Sequence, residues 1–226
     1  MQDRDFPAHD LADLGYEAVH HGDGGWNGVA ILSAAGIAGV RIGFGDGADD
    51  EMGCRIVSAE CGEIRVFSVY VPNGREVGSE FYYAKLEWLG SLQRMLAKEW
   101  DQREALAVCG DFNVAPDDRD VWNPAAFEGA THVTEPERDA LGLLGRWGLV
   151  DLFRLHNKAD GLFSWWDYRG GAFHKHQGMR IDLILGTAPL ASWCTASIVD
   201  RQARKGPQPS DHAPVMVYLD PGRGGS

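Results

Sequence analysis

Apolar and polar positions alternate over residues 54–60 (CRIVSAE) and again over 64–71 (IRVFSVYV), with Cys61, Gly62 and Glu63 between the two runs. Successive strand side chains point to opposite faces, so this pattern predicts a β-hairpin buried on one side. GVAIL (28–32) and residues 41–44 predict two shorter strands. The period then changes. In EFYYAKLEWLGSLQRMLAKEW (80–100), Leu86, Leu89, Leu92 and Leu96 fall with the aromatics at helical spacing, which predicts an amphipathic helix. TEPERDALGLLGRWG (134–148) predicts a second helix, with Thr134 and Glu137 as a capping box and Gly148 as the stop. ALAVCGDFN (105–113) predicts a buried strand running into a polar turn, and RIDLILG (180–186) and VMVYL (215–219) predict two more core strands.

Long irregular stretches separate these elements at 114–130, 156–179 and 200–211, and loops of that length in a compact domain are usually functional. No Gly-rich strand-to-helix turn is present, so the mixture predicts an α/β (α+β) sandwich of largely antiparallel sheets rather than a Rossmann fold. One domain is expected over 1–220, with 221–226 as a disordered tail.

Composition narrows the function classes. At 226 residues, 44% hydrophobic and 24% charged, the chain has material for a sizeable core. Its apolar runs are of strand length, too short for a membrane span, and the charged start MQDRDFPAHD has no signal-peptide pattern. Cys54, Cys61, Cys109 and Cys194 match no zinc spacing and read as reduced thiols of a cytoplasmic protein. A formal charge of −12 excludes nucleic-acid binding by bulk electrostatics alone, but not a local basic face.

Candidate chemistry sits at strand ends. Tyr70 closes IRVFSVYV, Asp111 and Asn113 follow ALAVCG, Asp182 lies within RIDLIL, and Asp211 and His212 precede VMVYL. A packing tyrosine and ordinary turns account for several of these singly. Asp182 resists that account, because a carboxylate among Ile181, Leu183 and Ile184 costs several kcal/mol unless paired or bound to a cation. Carboxylate and amide oxygens, without cysteine or paired-histidine ligands, favour a hard cation such as Mg²⁺ over Zn²⁺. A hard cation beside an imidazole and a carboxylate suits phosphodiester hydrolysis.

The motifs YVPN (70–73), GDFNV (110–114), SWWDYR (164–169), GMRIDLIL (178–185) and SDHAPV (210–215) together resemble the endonuclease/exonuclease/phosphatase superfamily, and more narrowly its exonuclease III branch of AP endonucleases. The resemblance covers essentially the whole chain. It implies a four-layer α/β sandwich of two packed sheets flanked by helices, and a Mg²⁺- or Mn²⁺-dependent monomer that cleaves double-stranded DNA 5′ to abasic sites, degrades it as a 3′→5′ exonuclease and cleans blocked 3′ ends. By the same resemblance, Asp111 activates or orients the attacking water and Asn113 holds that water or a phosphate oxygen. His212 donates to a non-bridging oxygen under the control of Asp182. Tyr70 contacts the phosphate or assists the leaving group. Asp211, with Asp111 and Asn113, supports the metal. Asn73 matches a DNA-phosphate contact, Trp165, Met179 and Ile181 an apolar pocket for a flipped abasic sugar, and Arg169, Lys175 and Arg180 a positive rim around it. The family's opening strand–helix–strand segment, whose Glu is the principal metal ligand, has no match in these residues. A start upstream of Met1 is therefore expected for the active enzyme; the alternatives are another phosphodiesterase or phosphatase of the superfamily, or an inactive truncated DNA-binding remnant.

Overall fold

The computed structural model describes residues 5–24, 27–45 and 53–224. A six-stranded sheet forms the frame: β3 (Ala38–Ile42), β4 (Ile56–Cys61), β5 (Ile64–Tyr70), β6 (Leu106–Asp111), β7 (Val150–Asp151) and β8 (Asp182–Gly186), in the order β3-β4-β5-β6-β8-β7. β4 and β5 make the hairpin that the alternation predicts, with Cys61 opposite Ile64. β5 and β6 run parallel, so the chain must cross back between them, and helix α2 (Glu80–Glu99) supplies the crossover. Ser79 caps that helix by accepting from the Tyr82 amide.

One sheet face packs on α2 and on α3 (Glu135–Trp147) through Phe67, Val69, Val108 and Leu183 against Trp88, Leu89, Leu92 and Leu144. Thr134 and Glu137 complete the capping box, and Gly148, at φ +126°, ends α3 as the sequence predicts. The opposite face carries two separate two-stranded sheets. β1 (Glu17–His21) and β2 (Val29–Ser33) lie over Val57 and Ala59. β9 (Cys194–Val199) and β10 (Val215–Leu219) share an apolar cluster with Ala107, Leu152, Ile184 and Leu190. Short helices α1 (Ala8–Asp13), α4 (Leu152–His156) and α5 (Ala188–Trp193) complete the described elements.

One expectation changes. VMVYL is not a core strand: β10 pairs only with β9 among the described strands, and Tyr218 is 51% exposed. Beyond β10, the Asp220 amide donates to the Trp193 carbonyl at the end of α5, and Pro221–Gly224 forms a 3₁₀ turn. Residues 225 and 226 lie outside the described residues.

Candidate active site

Three strand ends meet in one register row. Tyr70 on β5 is the partner of Asp111 on β6, and Asp111 is the partner of Asp182 on β8. Cross-strand partners project to the same face, so the phenol and both carboxylates stand side by side. The close approach behind them requires glycine. Gly110 has φ +146°, and a Cβ there would lie 1.9 Å from the Val69 carbonyl oxygen.

His212 closes the row from the loop before β10. Its Nδ1 is 2.9 and 3.0 Å from the two oxygens of Asp182, so Nδ1–H donates and Nε2 is the nitrogen left for a substrate. The motif SWWDYR braids this corner together. Ser164 Oγ accepts from the amides of Ile181 and Asp182, and the Ala213 amide donates to the Ser164 carbonyl. Trp165 Nε1 donates to Asp211 Oδ2 at 3.0 Å, and the Trp166 amide donates to the Asp211 carbonyl.

Charges in the row are strongly coupled. Burial, and then the neighbouring Asp182, push the Asp111 carboxyl up to about 7. Burial alone would lower His212, but the Asp182 hydrogen bond and charge, with Asp111 and Asp211, override it and raise the imidazole to about 9. The Tyr70 phenol is pushed up by burial and then by Asp111. The row therefore biases the Asp111 carboxyl and the Tyr70 phenol toward their protonated forms and His212 toward its imidazolium.

The predicted residues separate into groups. Tyr70, Asp111, Asp182, Asp211 and His212 converge. Asn113 does not present itself to a metal or to water. Its amide group donates to Asp111 Oδ2 and the Val71 carbonyl, its Oδ1 accepts from Asn73, and it is buried, so it orients Asp111. Met179 and Ile181 do cluster with the half-buried Trp165, but as buried residues packed on Ala115 and Val121. Asn73, Arg169 and Lys175 are exposed, with Arg169 gripped by Asp167.

Arg180 overturns its assignment to the DNA rim. It is 0% exposed, donating to Asp120 at 2.7 Å and to Asp151 at 2.8 Å, and Arg154 pairs with the same Asp120. Sequence reasoning also missed Arg55, whose guanidinium lies 5.0 Å from the Tyr70 ring centre and donates to the Tyr70 carbonyl. It missed Lys85 as well, although Lys85 falls in helical phase with Leu89, Leu92 and Leu96, a cation on the buried stripe.

The donor set fits a hard divalent cation. Asp111, Asp182 and Asp211 outnumber the one imidazole between them, and burial with the Asp182 charge raises the Asp111 carboxyl. Among the described residues, no three histidine, cysteine or acidic side chains enclose a metal by themselves.

A family model described as the endonuclease/exonuclease/phosphatase family matches residues 1–212. Exodeoxyribonuclease III of Haemophilus influenzae is 34% identical over 229 residues, covering 96% of this chain and 85% of that protein. The Bacillus subtilis exodeoxyribonuclease is 32% identical, covering 87% and 75% respectively. Among solved structures, an AP endonuclease from Archaeoglobus fulgidus superposes with a TM-score of 0.93 at 36% identity, covering 97% of this chain and 85% of that one. The Neisseria 3′ phosphatase NExo bound to a product DNA hairpin gives the same TM-score, 0.93, at 32% identity, covering 97% and 85%.

Proposed function

The chain belongs to the endonuclease/exonuclease/phosphatase family, and within it we propose a divalent-metal-dependent DNA repair nuclease of exonuclease III type. The observation that carries this reading is the register row of Tyr70, Asp111 and Asp182 with His212 hydrogen-bonded across it. On this reading a donor, a base and a second donor lie along one edge of the sheet. The preferred substrate is duplex DNA with an abasic site or a blocked 3′ end, and Mg²⁺ is the metal. The enzyme acts as a monomer in the cytoplasm. No described helix is long and apolar enough to cross a membrane.

Asp111, its proton affinity raised by burial and by Asp182, takes a proton from the attacking water, while Asn113 fixes the orientation of its carboxylate. The protonated His212 donates from Nε2 to a non-bridging phosphate oxygen, and Asp182 holds the ring in place. Tyr70 remains protonated and donates toward the departing 3′ oxygen. Asp111 and Asp211 would hold a divalent ion, which would supply Lewis-acid stabilisation of the phosphoryl charge. Trp165 offers an apolar wall to a sugar that has lost its base. Exposed Asn73, Arg169 and Lys175 hold the backbone.

The test is Mg²⁺-dependent nicking of a duplex with one abasic analogue. It is run on this chain and on the same chain fused to a family-type N-terminal strand–helix–strand segment, with His212→Ala as control. Nicking that disappears in His212→Ala supports the assignment. Folded protein that nicks in neither form removes it.

A further inference from the structure

We propose that Lys85 is a positioning residue of the nuclease centre: its buried ammonium clamps the chain ends that leave β5 and β6, and so holds Asp111 and Asn113 in line. Lys85 Nζ donates to the Asn113 carbonyl at 2.6 Å, to the Asn73 carbonyl at 3.3 Å and to Thr131 Oγ1 at 3.3 Å, and pairs with Glu137 Oε1. Both Lys85 and Glu137 are 0% exposed.

The two carbonyls point inward because the backbone turns there. Asn113 is in the left-handed region at φ +51°, and Gly74 is at φ +85°, where a Cβ would meet Thr131 Oγ1 at 2.9 Å and Lys85 Cδ at 3.0 Å. A non-glycine residue in that conformation persists only when its surroundings hold it. His132 adds a second hold on the same carbonyl, its Nδ1 lying 2.5 Å from the Asn113 oxygen. Glu137 completes the clamp. One oxygen accepts from Thr131 Oγ1 and the His132 amide, while the other serves the helix cap at Thr134.

A buried ion pair is not needed for stability, because a well-packed apolar pair of equal volume is often as stable or more so. What an apolar pair cannot do is donate to two inward carbonyls. Those carbonyls belong to Asn73 and Asn113, which are themselves joined by a 3.0 Å side-chain hydrogen bond beside Asp111. The ammonium therefore ties together the two loops that leave the sheet beyond Val71 and Phe112.

The kinetic half of this inference rests on the nuclease reading; the structural half does not. The double variant Lys85→Met/Glu137→Gln removes both charges at once, and Glu137→Gln alone is the milder companion should the double variant fold poorly. Backbone amide exchange in segments 72–75 and 110–114 is expected to rise about tenfold, with β4 unchanged. With an abasic duplex and Mg²⁺, kcat is expected to fall about 10- to 100-fold, the scale of a small misplacement of reacting groups. KM is expected to stay within about threefold. Unchanged exchange in both segments, or loosened segments with wild-type kcat, overturns the proposal. Absence of nicking both by this chain and by its fusion to the N-terminal segment counts against the nuclease reading instead, and the exchange measurement still decides the clamp.

Discussion

His212 Nδ1 lies 2.9 Å from Asp182 Oδ2, joining two residues thirty positions apart in the chain. The pair gives a strand carboxylate its partner and fixes which imidazole nitrogen faces the substrate. It also makes the protein's behaviour above neutrality predictable. The folded-state pKa of His212 is raised from 6.5 to about 9, so the stabilisation it contributes is fully present below 6.5 and is lost as pH rises through 9. Urea midpoints measured in EDTA should fall across that window in the wild type. In Asp182→Asn the fall should be largely absent.

The same substitution should damage catalysis more than binding. A neutral amide in place of the carboxylate would leave the imidazole without its charged orienting partner, and a loss of about 10²-fold or more in kcat is the usual scale for such a change. Affinity for an uncleaved duplex in Ca²⁺ should change little, because Asp182 is not a backbone contact. Equal losses in affinity and kcat would mean that the pair holds the site together rather than working in it.

Arg180→Ala tests the reassignment of that residue. It leaves Asp120 and Asp151 short of a buried partner, and breaking such a group costs about 3–5 kcal/mol. Thermal unfolding should drop sharply, while the slope of DNA affinity against salt stays as it was. Lys175→Ala should do the reverse, sparing stability and reducing the slope by about one.

Gly110→Ala should be among the most damaging single methyl additions in the chain. The new Cβ would sit 1.9 Å from the Val69 carbonyl oxygen, and relief would require β5 and β6 to part at the point where Tyr70 meets Asp111. Soluble yield and circular dichroism of the purified variant check this, and a normally folded Gly110→Ala protein would contradict the register described here.

Much of this is legible in the sequence where a local pattern carries it. The hairpin at 54–71, helices α2 and α3, and the Thr134–Glu137 cap rest on spacing within a few residues, and the structure reproduces them. β1 (EAVHH) and β9 (CTASIV) escape because neither carries a clear run of large apolar residues alternating with polar ones. Among the site residues, Asp182 announces itself by its cost among Ile181, Leu183 and Ile184. Arg180, one position before Ile181, resembles a rim cation because its partners, Asp120 and Asp151, are far away in the chain and reach it only after folding. Asn113 resembles a substrate contact for the same reason: nothing local shows that Asn73 and Val71 occupy its amide. Lys85 is visible on the buried stripe of α2, but the acidic and carbonyl groups that explain it come from three separate segments.

On the nuclease reading, one row of side chains, Tyr70, Asp111 and Asp182 with His212, hydrolyses a DNA phosphodiester. The decisive measurement is single-turnover nicking of an abasic duplex, with the wild type and His212→Ala compared in Mg²⁺ and in EDTA. Nicking should require the metal and fall about 10²-fold or more in the variant. Metal-dependent nicking that survives undiminished in a folded His212→Ala protein would remove His212 and its row from the chemistry.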